Sequence, residues 1–210
     1  LSEKKNVRKI ENKVSEIFSP KKNANALMQK GYDILKTKVD KEELKNYQSF
    51  SLNKNKLFNA DIWNPKCNLP GYEQIQKEMI SKHETIQLSN KKLFEIRRGK
   101  EVGSKNYKVG LEKSDSDIAF IRTSDVVNYE IDLFPDYFVD ESFEKMPNLA
   151  KKGDIIFSRD GVIGETAMIC EKDRALIASG FYIISKKEDL DISSEYFFTC
   201  MSSYEVGKIP

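Results

Sequence analysis

Apolar positions change their period along this chain, and the change divides it. Over residues 1–18, Val7, Ile10, Val14, Ile17 and Phe18 recur at helical spacing with charges between them. Ser19-Pro20 then supplies an N-cap followed by proline at a first helical position. Ala24, Leu27, Met28, Gly31, Leu35 and Val39 continue one stripe down a second helix, and the run Asp40 to Glu43 reads as a capping box opening a short third. These faces are narrow, so the helices are expected to pack as an antiparallel hairpin or against a partner. The Asn-, Lys-, Pro- and Gly-rich stretch 49–71 reads as a linker, and a helix is predicted over 72–83 with Ile75, Met79 and Ile80 inward.

From about residue 91 the texture becomes that of β structure. "KKLFEIRRG", "IAFIRTSDV", "DIIFSRDG", "ETAMICEK" and "ALIASGFYIIS" are short runs of strand-forming residues bounded by turn residues. Ser193 is placed to cap a closing helix carrying Tyr196, Phe197 and Met201. The expected fold is α+β: an N-terminal antiparallel helical arm (1–48), a linker and entry helix (49–90), and a mixed α/β domain with a twisted β-sheet (91–210). Within it, Gly153 is expected to turn the chain into a strand at 155–157. Gly161 supplies a positive φ for a hairpin, and Gly164 allows close backbone approach.

The chain has 210 residues, 39% hydrophobic and 32% charged, which suits a soluble globular protein with a charged surface. It begins with Leu and stops without an obvious ending, as a fragment would. Cys67, Cys170 and Cys200 lie far apart and form no CxxC pair, so reduced thiols in a cytoplasmic protein are expected, with no metal site. There is no GxGxxG after a strand, no Walker loop around "GVIGET", and no serine or cysteine spaced to partner His83. "NPKC" retains only the Asn-Pro of an adenine methyltransferase motif. The expectation is a protein without catalytic residues or cofactor, and without a membrane span.

A net charge of +2 does not by itself argue for a polyanionic partner, but its distribution does. Residues 91–108 hold seven Lys and Arg against Glu95 and Glu101, while 128–145 hold six acids against Lys145. Cations interleaved with tyrosine in a glycine-flexed segment suit phosphate contacts, and arginine can read guanine edges. A strand edge made basic to discourage pairing would look similar. The acidic segment would sit away from a polyanion or meet a basic partner.

The order of "IRRGKEVGSKNY" (96–107), "IAFIRTSDV" (118–126), "LAKKGDIIFSRDGVIGETAMI" (149–169), "ALIASGFYIIS" (175–185) and "SEYFFTCMSS" (194–203) resembles the target recognition domain of type I restriction–modification specificity (HsdS) subunits. "KIENKVSEIFSPKKNANALMQKGYDIL" is similar to their spacer helices, and "LFNADIWNPKCN" to the segment entering a recognition domain. The resemblance implies a non-catalytic, DNA-binding subunit that positions a modification methyltransferase subunit and a restriction subunit on double-stranded DNA. This chain shows one recognition domain where the family has two, which leaves room for homodimerisation through the arm. The DNA-binding candidates are Arg97, Arg98, Lys100, Lys105, Lys108, Arg122, Ser124 and Arg159, with Gly153, Gly161 and Gly164 as structural turns. Because specificity varies within such a family, the insert 99–117 is expected to read bases and the "SRDG" hairpin to frame it. The competing readings are a recognition domain fused to a methyltransferase–endonuclease, and a protein-interaction module tethered by its helices.

Overall fold

The computed structural model describes residues 21–37, 77, 80–110, 112–170 and 173–203. The expected helices at 1–18 and 40–48, the linker at 49–71, and the Ser19-Pro20 cap lie outside these residues. Of the 72–83 helix, residues 80–82 are helical, but Ile80 is exposed instead of inward.

The described chain runs from a helix α1 (21–36) into ten strands and a closing helix. The strands are β1 (Phe94–Arg98), β2 (Lys108–Val109), β3 (Ile118–Ile121), β4 (Val126–Val127), β5 (Glu130–Ile131), β6 (Tyr137–Val139), β7 (Ile155–Ser158), β8 (Thr166–Met168), β9 (Ala175–Ile177) and β10 (Phe181–Lys186). Helix α2 spans Ser194–Ser202, and the Ser193 hydroxyl accepts from the Tyr196 amide as the sequence predicts. The fold is α+β. Where one twisted sheet was expected, the described residues form two four-stranded sheets, ordered β1-β10-β7-β8 and β2-β6-β3-β9, with β4 and β5 as a separate ribbon. Only β3 and β9 pair in parallel, with Phe120 opposite Leu176.

Alternation within the strands explains how both sheets bury side chains on both faces. In β3, Ala119 and Ile121 face the core between the sheets, where they join Ile156, Ile177, Phe181 and Ile183. Ile118 and Phe120 point the other way, with Leu176 and Val139, and Tyr107, Phe143 and Met146 pack over them. The outer face of the first sheet offers Phe94, Ile155 and Ile184 to Phe197 and Phe198 of α2. A strand buried on both faces reads as a continuous apolar run, which is how "IAFI" and "ALI" appear.

Helix α1 docks beside α2. Met28 packs into the cluster around Phe197, the Tyr32 hydroxyl donates to Ser202 Oγ at 3.0 Å, and the Tyr32 and Tyr129 rings lie 6.4 Å apart. Leu27, read as part of the buried stripe, is 66% exposed instead, because the docked face runs through Met28 and Tyr32.

Gly99, where β1 ends, is a close-approach position with no sequence signature. A Cβ there would stand 1.9 Å from the Ala178 carbonyl oxygen, a backbone atom that cannot swing aside. Gly99→Ala is therefore expected to cost about 2 kcal/mol, read as a lowered urea midpoint with unchanged slope.

Candidate nucleic-acid interface

The strand directions bring four loops to one end of the two-sheet domain. β10 runs antiparallel to both β1 and β7, so the chain leaves β1 and β7 where β10 begins. β9 lies parallel to β3, so both end together. Cross-links confirm the gathering. The Gly99 amide donates to Phe181 O, Lys100 N to Ile177 O, Ala178 N to Ile121 O, and Arg159 N to Gly180 O. A Cβ on Gly161 would lie 3.6 Å from Thr123 Oγ1. Segments 99–107, 122–125, 159–165 and 178–180 thus form one composite rim.

The candidate cations meet different fates there. Arg97 is the clearest departure from expectation: its side chain is 13% exposed and forms an ion pair with Asp154, itself 4% exposed. Arg97 also donates to the carbonyls of Pro147 (2.7 Å) and Leu149 (3.1 Å) and to Ser185 Oγ. With its head group used on one side by a buried carboxylate and on the other by two carbonyls, Arg97 is a brace between segments 147–154 and β1. Lys108 is likewise engaged, with Asp117 at 2.7 Å and Asp140 at 3.4 Å. The hydrogen bond it donates to Asp117 raises the pKa of the Lys108 ammonium above its ordinary range.

Arg122 sits over the Tyr137 ring at 4.4 Å and pairs with Asp125 and Asp136. Partial burial disfavours its charge, but the two carboxylates outweigh that and raise its pKa. Ser124 is exposed, yet its hydroxyl donates to Asp125, which also accepts from the Arg122 amide. Arg159 pairs with its neighbour Asp160 at 3.4 Å and lies 5.6 Å from the centre of the Tyr182 ring. Arg122–Asp125 and Arg159–Asp160 thus pair within their own turns, and Asp136 adds a second carboxylate to Arg122 from outside its turn.

Arg98, Lys100 and Lys105 differ from these. All three are exposed, and their side chains have no hydrogen-bond or ion-pair partner among the described residues. Arg98 stands opposite Tyr182, which is 39% exposed, so Arg98, Tyr182 and Arg159 share the uncovered part of the outer sheet face. Tyr182 was not singled out from the sequence. Its signal is an aromatic at an outward position of β10, between the fully buried Phe181 and Ile183.

The insert carrying Lys100 and Lys105 is firmly held. Glu101 accepts from the amide and hydroxyl of Ser179 and from the Tyr107 hydroxyl at 2.6 Å. Burial pushes the Glu101 carboxyl up, but these bonds outweigh it and leave the pKa lowered. Burial, reinforced by the bond to Glu101, pushes the Tyr107 phenol up to about 12. Ordered backbone at a cationic loop is what positioning against phosphates requires.

The acidic segment is not set apart as the sequence suggested. Glu130 pairs with Lys21, Asp136 with Arg122, Asp140 with Lys108, and Glu144 with Arg174. Four of its six acids are thus paired within the molecule, while on the rim Arg98, Lys100 and Lys105 stand against the carboxylates of Glu101 and Glu165, which have no ion-pair partner among the described residues.

Gly153, Gly161 and Gly164 all have positive φ, at 82°, 72° and 89°. For Gly164 this conformation is a reason for glycine that the sequence reading did not name.

The class defined by this architecture is an α+β two-sheet domain presenting ordered, cation-bearing loops at one end. No protein-family model and no curated protein matches the chain. Among solved structures it is similar to a chain from a study of complex assembly and conformational transition of the type I R-M system, at 13% identity and a TM-score of 0.43 over 91% of this chain and 39% of that one. It is similar to the HsdS subunit from Thermoanaerobacter tengcongensis, at 10% identity and a TM-score of 0.42 over 82% of this chain and 50% of that one. A type I restriction-modification S subunit from M. genitalium gives 15% identity and a TM-score of 0.39 over 87% and 40%. The chain thus spans half or less of the length of each solved chain.

Proposed function

We propose that this chain is a DNA sequence-recognition component of a type I restriction–modification system, acting in the cytoplasm without catalytic chemistry of its own. The observation that carries the reading is the gathering of four braced loops at one end. There Arg98, Lys100 and Lys105 have no partner among the described residues, while Arg122 and Arg159 on the rim and Lys108 beside it are engaged by acids. Unpaired cations on ordered backbone release counterions when phosphates bind, and an exposed tyrosine between two arginines offers a face to sugar or base. The motif order that resembles the specificity-subunit recognition domain points the same way.

In this reading α1 belongs to the spacer. It holds the recognition domain through Met28 and Tyr32 and keeps Leu27 and Ile34, at 66% and 64% exposure, for a methyltransferase subunit or a second copy of the arm. The restriction subunit joins the larger assembly.

The test is a selection of bound duplexes from a random library, with affinity then measured at several salt concentrations. The expected result is a recovered sequence motif and an affinity that falls steeply and linearly in log–log form with salt. Failure to recover any motif, or a shallow salt dependence, would favour the protein-interaction module.

A further inference from the structure

The hairpin between β7 and β8 is braced well beyond what a connection needs, and it presents two apolar side chains to solvent. Ser158 Oγ donates to Val162 O and accepts from the Glu165 amide, Gly164 N donates to Ser158 O, and Thr166 Oγ1 donates to Gly164 O. Arg159 N is tied to Gly180 O across the rim. At the tip of this rigid turn, Val162 is 68% exposed and Ile163 is 72% exposed. Turn tips ordinarily carry polar residues, and two β-branched apolar side chains on a fixed support are costly in water.

We infer that Val162 and Ile163 form an apolar probe that enters a groove of duplex DNA and packs on base edges, making them specificity-determining residues. This rests on the DNA-recognition reading above. Size and place argue for DNA over a protein partner. Two side chains on a narrow tip fall far short of the 1,200 Å² or so that a stable protein interface buries, whereas apolar side chains of this kind pack on thymine methyls or wedge at a base step. The tip follows Arg159, Asp160 and Gly161 in the chain; Gly161 lies beside Thr123 and Arg159 N bonds to Gly180 O, on the same rim as Lys100. The sequence reading treated this hairpin as a frame; its glycines and Ser158 are the frame, and its two tip residues contact the bases.

The experiment compares the full chain with the double variant Val162→Ser/Ile163→Ser and with Val162→Leu/Ile163→Leu, each by selection from a random duplex library, salt titration and thermal melt. Both positions are exposed and the bracing bonds use backbone atoms, Ser158 and Thr166, so all three proteins should melt alike. The serine variant should bind about tenfold more weakly and lose sequence information at one or two adjacent positions. Its salt slope should be unchanged, because no ionic contact is removed. The leucine variant should retain most of the affinity. Equal affinity and the same motif from the serine variant would overturn the probe while leaving DNA recognition standing. A wild-type chain that recovers no motif would overturn both.

Discussion

Arg97→Ala should unfold the domain before it affects any base preference. The guanidinium and Asp154 form a pair at 13% and 4% exposure, and removing one member leaves the other charge buried without its partner. Breaking such a pair costs about 3–5 kcal/mol, a large share of the 5–15 kcal/mol of a typical domain. Asp154→Ala should cost as much, since it strands Arg97 and also removes the acceptor of the Ser185 hydroxyl and the Lys151 amide. Replacing both by apolar residues, as in Arg97→Met with Asp154→Leu, should recover only part of the loss. The carbonyls of Pro147 and Leu149, exposed and half-buried, still lose their donor, and each such hydrogen bond is worth about 1 kcal/mol. Urea denaturation of the two single variants and the double variant measures all three terms. If Arg97→Ala keeps the wild-type midpoint and instead changes the selected DNA motif, the arginine is a base reader and the brace is incidental.

The sequence misplaced Arg97 for a reason visible in β1. Alternation in "FEIRR" puts Phe94, Ile96 and Arg98 on one face, and an apolar-in reading buries Ile96 and leaves Arg97 in water. Helix α2 covers Phe94 but stops short of Ile96, which remains 48% exposed, while Arg97 turns toward Asp154 at the entrance to β7. Parity was legible; which face would be covered, and how far, depended on where α2 lay. The five strand-like runs, which hold β1, β3, β7, β8, β9 and β10, and the Ser193 cap were readable because each buries its own side chains or bonds its own backbone. The strands β2, β4 and β5 were not, because each has two residues and is defined by backbone pairing, and β6 was not, because its three residues sit between Asp136 and Asp140 in the acidic block. The charge blocks were read correctly as composition and incorrectly as geography. Lys108 lies 32 positions from Asp140 in the chain and 3.4 Å from it in space.

Replacing Arg98, Lys100 and Lys105 together by alanine should weaken duplex binding on the order of a hundredfold near physiological salt while leaving the melt unchanged. The stability half follows from exposure and from the missing internal partners: nothing in the described fold depends on these three head groups. Glu101, Tyr107 and Ser179 hold the insert in place without them. The affinity half follows from counterion release. Each phosphate contact contributes about 0.9 to the slope of log affinity against log salt, so three lost contacts flatten it by about 2.7. Lys108→Ala offers the contrast. Its ammonium is committed to Asp117 and Asp140, so its loss should leave the slope as it is. The pattern to find is therefore a flattened slope for the triple variant and a wild-type slope for Lys108→Ala, measured on one duplex across salt concentrations. Equal slopes for the triple variant and wild type would show that the unpaired cations of the rim do not meet phosphates, and would move the DNA contact elsewhere or remove it altogether.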